Sequence, residues 1–370
     1  MKGKISLNLV SEFDGMFSHS KKIIGKDNAT YCVLVSEDDG SYILDKWRVF
    51  SNKPLNKFKF IDSLGIIHSK GKGNIQAVMG KDTLYVSESG WYSVSTQETG
   101  QPMFYALDLD GNVKWENSLD GTYPTEIIEI SNKYILISSF LESSDRENYI
   151  FKLDKFGKCL WKIEVSPLGT SPVVDRENNL YIKHGSNISK YDKDGATVWN
   201  INLNSDSRFY WDEIICNNEK LYYGYQKDNE HFLIQIDTNG NITNNYKIPN
   251  YTANPVINFN TNILYFRMAS NNLVAFDPLR NQVKYQVELG KSIYSTPIVY
   301  KNYLITCYEK QLVVYSEDLN LISKHRLKGI AYGTNITEDG TLQILTCDYQ
   351  SWDSGKSKIC YSRIYELNVV

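Results

Sequence analysis

A strand-ending phrase recurs eight times along this chain of 370 residues, and it constrains the fold more than any other feature. An apolar residue is followed by Asp, by a short polar turn that contains Gly, and by Trp four residues after the Gly. The clearest copies span 106–115, 153–161 and 191–199, and weaker copies are anchored at 51, 237, 277, 316 and 366. Repeats at a spacing of about 40–50 residues predict a repeat array or a propeller rather than unrelated domains.

The stretches between the copies predict three further strands in each repeat. The first is short and often opened by Pro, as at 171–174, 254–257 and 296–299, because Pro is tolerated where a strand begins. The third ends in the apolar–Asp pair, whose Asp caps its own backbone while the Gly takes a positive φ, giving a tight turn into the fourth strand. Four short antiparallel strands are the unit of a propeller blade, and no sustained 3.6-residue period indicates helices.

The predicted fold is all-β: one eight-bladed β-propeller over residues 1–370, with four antiparallel strands per blade. The last copy is followed only by a few residues, so the C-terminal blade lacks its fourth strand. We predict that the segment 5–10 supplies it and closes the ring, which removes exposed sheet edges. The predicted blades are 15–65, 74–121, 123–169, 170–207, 209–251, 252–292, 293–330, and 331–370 together with 1–10.

The composition limits the kinds of partner and the location that we expect for this chain. The formal net charge of −3 predicts no strong attraction to nucleic acid or to anionic membranes. The sequence has no apolar run long enough to span a bilayer. The segment 1–10 has no secretory signal pattern, so a cytoplasmic location is expected, although an exported mature form would look the same.

The metal-binding residue types form no recognisable metal motif. The six cysteines are scattered singly without a C-x-x-C, so no zinc site is expected, and Cys307 and Cys347 are interpreted as small buried residues. The D-x-D-G stretches at 108–111 and 192–195 resemble the start of a calcium loop but lack its later ligands, and we interpret them as turns. We therefore predict no metal and no cofactor.

The phrase A-x-D-x-x-G-x-x-x-W, together with the S/T-P-V strand starts, resembles the tryptophan-docking repeat of quinoprotein-type (PQQ-like) eight-bladed β-propellers. That family includes the quinoprotein alcohol dehydrogenases and the outer-membrane assembly lipoprotein of Gram-negative bacteria. The resemblance covers nearly the whole chain, although Tyr285 replaces the Trp that should follow Asp277. It implies that Trp115, Trp161 and Trp199 are structural and pack against the next blade.

The chain departs from the enzymes of that family. It lacks the vicinal Cys–Cys pair that lies under the quinone in those enzymes, and the family's cofactor-binding residues have no counterparts that can be matched here. The lipoprotein's signal and lipidated Cys are absent as well. We therefore expect a non-enzymatic protein with no catalytic residues, and a quinone-dependent oxidoreductase is the remote alternative.

Three insertions interrupt the regular blade length, each between the second and third strand of its blade. They lie at 88–101, 140–147 and 348–356, and the first blade adds the stretch 37–40 at the same place. Because these blades are consecutive, the insertions should form one arc on one face and bind another protein through exposed aromatic and acidic residues. Alternatively, the aromatic side chains fold back on their own blades. The candidates are Trp91, Tyr92, Glu98, Glu142, Asp145, Tyr349, Trp352 and Asp353.

A second candidate site is the mouth of the central channel. A Tyr precedes the innermost strand in five blades and could stack a small polar or carbohydrate-like ligand. These residues are Tyr123, Tyr210, Tyr251, Tyr294 and Tyr332. The alternative is that each one packs between adjacent blades as part of the repeat.

Overall fold

The structure is a computed structural model, and it describes residues 5–14, 16–17, 31–36, 46–51, 61–62, 75–79, 83–88, 91–92, 99–100, 103–108, 113–130, 133–140, 147–165, 172–203, 215–216, 220–248, 255–258, 260–268, 271–289, 297–308, 310–336, 340–347 and 361–369. These residues form eight four-stranded antiparallel sheets and one two-stranded hairpin. The only helix within them is a 3-10 turn, Leu119–Gly121, so the expected low helix content is confirmed for this part of the chain.

The first strand, β1 (Ile5–Asp14), belongs to the last sheet. Sheet 1 comprises β2 (Met16–Phe17), β3 (Tyr31–Ser36), β4 (Lys46–Ser51) and β5 (Ile61–Asp62). Sheet 2 comprises β6 (Ile75–Met79), β7 (Leu84–Glu88), β10 (Met103–Leu107) and β11 (Val113–Asn117), and the hairpin of β8 (Trp91–Tyr92) and β9 (Thr99–Gly100) is inserted in it. Sheet 3 comprises β12 (Tyr123–Ile130), β13 (Tyr134–Phe140), β14 (Asn148–Asp154) and β15 (Cys159–Glu164).

The remaining sheets repeat this order. Sheet 4 comprises β16 (Val173–Val174), β17 (Leu180–His184), β18 (Asn187–Tyr191) and β19 (Thr197–Asn202). Sheet 5 comprises β20 (Ile215–Cys216), β21 (Lys220–Lys227), β22 (Glu230–Asp237) and β23 (Ile242–Ile248). Sheet 6 comprises β24 (Val256–Asn258), β25 (Ile263–Arg267), β26 (Asn272–Asp277) and β27 (Gln282–Glu288). Sheet 7 comprises β28 (Ile298–Tyr300), β29 (Tyr303–Tyr308), β30 (Gln311–Ser316) and β31 (Leu321–Arg326), and sheet 8 comprises β32 (Ile330–Ile336), β33 (Leu342–Cys347), β34 (Tyr361–Val369) and β1.

The sheets fall into two compact units. Unit 1, residues 1–164 and 327–370, contains sheets 8, 1, 2 and 3, and unit 2, residues 165–326, contains sheets 4 to 7. In unit 1, β34 contacts β2, β3 contacts β6, and β7 contacts β12, so its sheets follow one another in that order. In unit 2, β16 contacts β20 and β24 contacts β28.

The core of each unit lies between neighbouring sheets. The second and third strands are buried on both faces, as β17 and β18 show, whereas the fourth strand β19 alternates between exposed and half-buried residues. Strands buried on both faces carry near-continuous apolar runs. In unit 1, for example, Tyr85 and Phe104 of sheet 2 pack with Ile137 and Phe151 of sheet 3.

The N-terminal strand completes the C-terminal sheet, as the sequence predicts. Strand β1 pairs antiparallel with β34 from Ile5 opposite Val369 to Asp14 opposite Tyr361. The strand is longer than the predicted segment 5–10, because pairing resumes after a register shift between Leu9 and Ser11. The longer pairing also joins the buried Arg363 to Glu12 through an ion pair.

Candidate functional site

The repeated Asp forms the turn between the third and fourth strands. Asp154 Oδ1 accepts hydrogen bonds from the backbone N–H of Phe156, at 2.8 Å, and of Lys158, at 2.9 Å, and Gly157 follows with φ +84°. The same bonds recur at Asp192 and Asp237. Amide donors hold the pKa of Asp192 below its usual range, with the largest contribution from the Ala196 N–H. The interpretation of the 192–195 stretch as a turn is therefore confirmed.

The tryptophan after this turn packs on the equivalent turn of the next sheet. Trp115 of β11 donates its Nε1–H to the carbonyl oxygen of Lys155, at 3.0 Å. Its ring lies so close to Gly157 that a Cβ added there would come within 2.6 Å of the ring atom Cε3. This Trp therefore needs Gly in the next turn for steric as well as conformational reasons.

Unit 2 repeats this arrangement between sheets 4 and 5. Trp199 of β19 donates Nε1–H to the carbonyl oxygen of Thr238, at 3.0 Å. A Cβ added to Gly240 would lie 2.9 Å from the Trp199 atom Cγ. The rings of Trp115 and Trp199 are thus engaged in packing between sheets, as the resemblance implies. Trp161 stands at the same register on β15, is half-buried, and has Lys152 Nζ 5.6 Å from its ring centroid.

A tyrosine that the sequence analysis did not single out provides the corresponding contact between sheets 6 and 7. The Tyr265 hydroxyl, on β25, donates to the carbonyl oxygen of Glu317, at 3.0 Å. This carbonyl holds the same turn position as those of Lys155 and Thr238. Tyr285, at the Trp position of β27, instead bonds the Asp318 side chain, which raises the Tyr285 pKa. The sequence does show a Leu–Tyr pair in this second strand, at Leu264 and Tyr265. It does not show which carbonyl oxygen the Tyr265 hydroxyl reaches.

Replacing Tyr265 with Phe is expected to lower the free energy of unfolding by about 1 kcal/mol, because the Glu317 carbonyl loses its buried donor. Urea unfolding of the purified protein measures the change. The matched control is Tyr315→Phe, since Tyr315 is buried in the same core and its pKa is raised by burial and by Tyr308 rather than by a hydrogen-bonded partner. Equal losses in the two variants would contradict the assigned role of Tyr265.

The insertions lie where the sequence placed them, between second and third strands, and their lengths differ sharply between the units. In unit 1 these connections span 37–45, 89–102, 141–147 and 348–360. In unit 2 they span only 185–186, 228–229, 268–271 and 309–310. The long connections thus belong to the four sheets of one unit.

The structure locates two of the predicted partner-binding residues. Trp91 and Tyr92 form β8, opposite Gly100 and Thr99, and this short hairpin lies within the connection from β7 to β10. Glu98, Glu142, Asp145, Tyr349, Trp352 and Asp353 lie outside the described residues.

The predicted channel-mouth tyrosines are placed only in part. Tyr123 is the first residue of β12, and Tyr332 lies inside β32, where the register shifts between Ala331 and Gly333. These two residues therefore belong to the innermost strands rather than preceding them, because each strand begins earlier than its apolar run suggests. Tyr210, Tyr251 and Tyr294 lie outside the described residues, so the proposed ring of phenols stays a prediction.

Within the described part of the chain, no three His, Cys, Asp or Glu side chains are grouped to hold a metal ion. No helix found there is long and apolar enough to cross a membrane. Cys307 and Cys347 are buried, as predicted. Lys183, on β17, is only 6% exposed, and burial lowers its pKa to about 8.

No family model matches the chain, and no curated protein matches its sequence. Solved structures nevertheless match it over 97% of its length. BamB from Moraxella catarrhalis is 13% identical, is covered over 97% and gives a TM-score of 0.64. The Dos1 propeller is 12% identical, is covered over 95% of its own length and gives a TM-score of 0.65. The quinohemoprotein alcohol dehydrogenase from Comamonas testosteroni is 12% identical, is covered over 76% of its own length and gives a TM-score of 0.64. At these identities the likeness shows the fold alone, which is a β-propeller.

Proposed function

We propose that this chain is an eight-bladed propeller closed by β1, and that it acts without catalysis as a scaffold that binds another protein. The binding surface consists of the connections between second and third strands in sheets 8, 1, 2 and 3, which we call the long-connection face. The observation that carries the proposal is the contrast between these extended connections and the tight turns at the same place in every sheet of unit 2.

The contrast supports a binding role because long connections are not needed for the fold. The tightest hairpin turns suffice to join antiparallel neighbours, and unit 2 uses them at 185–186, 228–229 and 309–310. Longer connections add closure entropy, and connections of more than about 12–15 residues are uncommon and are usually either functional or disordered. Four consecutive sheets of unit 1 carry them between the same two strands, and the proposal therefore assigns them to one face.

The residue types in these connections favour a protein partner. Trp91 and Tyr92 lie in β8, and Tyr349 and Trp352 belong to the 348–360 connection. Aromatic anchors surrounded by polar groups are enriched at protein interfaces, where a few of them carry most of the binding energy. A non-enzymatic role is supported by the absence from the sequence of the vicinal Cys pair and of any nucleophile–base motif.

The experiment is quantitative capture of partners from the native host by wild-type protein and by the Trp91→Ala, Trp352→Ala double variant. We expect the double variant to keep the wild-type circular dichroism spectrum and urea midpoint and to lose the principal captured protein by about tenfold or more. The matched control is Phe156→Ala, which removes a 71%-exposed aromatic side chain from the turn between the third and fourth strands of sheet 3, at the opposite end of that sheet.

Three outcomes would overturn the proposal. If both variants capture the same proteins as the wild type, the long-connection face is not the interface. If instead Tyr294→Ala abolishes binding of a small polar ligand while partner capture is absent throughout, the channel-mouth alternative is correct. Dye reduction by protein reconstituted with a quinone and calcium would establish the enzymatic alternative.

A further inference from the structure

Arg267 carries a buried donor in unit 2 that the described residues leave unpaired. It is the last residue of β25 and is half-buried. Its Nη2 donates to Asn271 Oδ1, whereas the buried Nε has no hydrogen-bond partner among the described residues. None of the ion pairs within the described residues involves this guanidinium. A buried donor that makes no hydrogen bond is costly even when the rest of its side chain reaches solvent.

Thr306 supplies a second unpaired polar group in the neighbouring sheet. It lies in the middle of β29, is 1% exposed, and its Oγ1 has no hydrogen-bond partner in the described part of the chain. Most buried hydroxyl groups are hydrogen-bonded to protein, water or a bound molecule. The Thr306 hydroxyl, which lies between the buried Ile305 and Cys307, therefore keeps its hydrogen-bonding capacity unused among the described residues.

Arg267 and Thr306 lie on the sides of sheets 6 and 7 that face each other. Tyr265 and Arg267 are two residues apart on β25 and share one face of sheet 6, as Leu304 and Thr306 share one face of sheet 7. Tyr265 and Leu304 belong to the same buried cluster between these sheets. Both β25 and β29 are the second strands of their sheets. Arg267 lies two residues after Tyr265 and Thr306 two residues after Leu304, so each lies one step further along its strand than the clustered residue.

We propose that Arg267 and Thr306 form a binding site for a small carboxylate between sheets 6 and 7. The guanidinium supplies the positive charge and the Nε–H donor, and the threonine hydroxyl supplies a second donor. A planar carboxylate has two acceptor oxygens and suits the planar fork of an arginine. The site belongs to unit 2, whose connections are short, so it is independent of the long-connection face and of the proposed scaffold function.

The test is titration of the full chain with sodium acetate, followed through the Nε–H resonances of 15N-labelled arginine. The Arg267 resonance is assigned from its loss in Arg267→Gln. We expect a saturable acetate-dependent shift of that resonance, which sodium chloride at matched ionic strength does not reproduce. Thr306→Val, which keeps the shape of the side chain, should weaken acetate binding by about tenfold.

The matched control is Arg280→Gln, since Arg280 is exposed and pairs with Asp277 on the turn of the same sheet. Acetate binding to this control should equal that of the wild type. If Arg267→Gln fails to fold, the site is identified by the resonance that shifts with acetate in the wild type and shifts less in Thr306→Val. An unsaturable shift, an equal response to chloride, or unchanged affinity in Thr306→Val would each overturn the proposal.

Discussion

Alanine at position 157 is expected to be among the most destabilising single substitutions in this protein. Gly157 has φ +84°, a conformation that costs a residue with a Cβ about 1 kcal/mol. The new methyl group would also lie 2.6 Å from Trp115 Cε3, and displacing a packed ring costs about 1–3 kcal/mol more. We therefore expect the free energy of unfolding to fall by about 2–4 kcal/mol, as measured by urea unfolding.

Gly121 provides the control because it has φ +77° but no atom within 4 Å of an added Cβ. Gly121→Ala should therefore lose only the conformational part. The difference between the two alanine variants isolates the contact with Trp115, and in a Trp115→Ala background that difference should disappear. Equal losses of unfolding free energy at 121 and 157 in the presence of Trp115 would show that the Trp115 ring moves aside without cost. The contact between Trp115 and Gly157 would then not stabilise the packing of sheets 2 and 3.

Removing the buried charge of Lys183 is expected to stabilise the protein. Burial lowers the Lys183 pKa from 10.5 to about 8, so the unfolded chain binds more protons between these values. The free energy of unfolding therefore rises with pH from about 8 to 10.5. The contribution of Lys183 to stability is least favourable below pH 8. Lys183→Met should raise the free energy of unfolding at pH 7 by about 2–3 kcal/mol, and it should reduce the increase in stability between pH 8 and pH 10.5.

The measurement is urea unfolding of wild type and variant at pH 7, 9 and 10. Lys227→Met serves as the control, because Lys227 is exposed on β21 and should leave both the midpoint and its pH dependence unchanged. A loss of stability in Lys183→Met at pH 7 would mean that the interactions of the ammonium outweigh its desolvation, and the pKa of Lys183 would then not be lowered.

Local features of the fold could be predicted because each depends on a few neighbouring residues. The turn at Asp154 needs only an Asp, a Gly and the backbone between them, and the strand at 5–10 could be predicted because the last blade is one strand short. The bond from Tyr265 to Glu317 was not predictable, since it depends on the offset between two sheets. The burial of Lys183 and of the Arg267 Nε was equally hidden, because both faces of the second strand are covered and its sequence shows no alternation.

The candidate site was predictable in its position rather than in its contacts. Connection lengths follow directly from the spacing of the repeated phrase, so the contrast between the units is visible as excess residues in four blades. The positions of Tyr123 and Tyr332 were misjudged, because a strand can begin at a 3-10 turn or continue through a register shift without an apolar run. Aromatic residues in a connection indicate binding, but the spacing of a repeat carries no information about what they contact.

The pairing of Ile5 with Val369 affects how the chain folds during its synthesis. During translation β1 is made long before its partner β34, and one of its edges stays unpaired until residues 361–369 have been synthesised. Long-range pairing of this kind slows folding and leaves a nascent chain open to wrong partners. A permuted gene that linked residue 370 to residue 1 and opened the chain elsewhere would turn this long-range pairing into a local one.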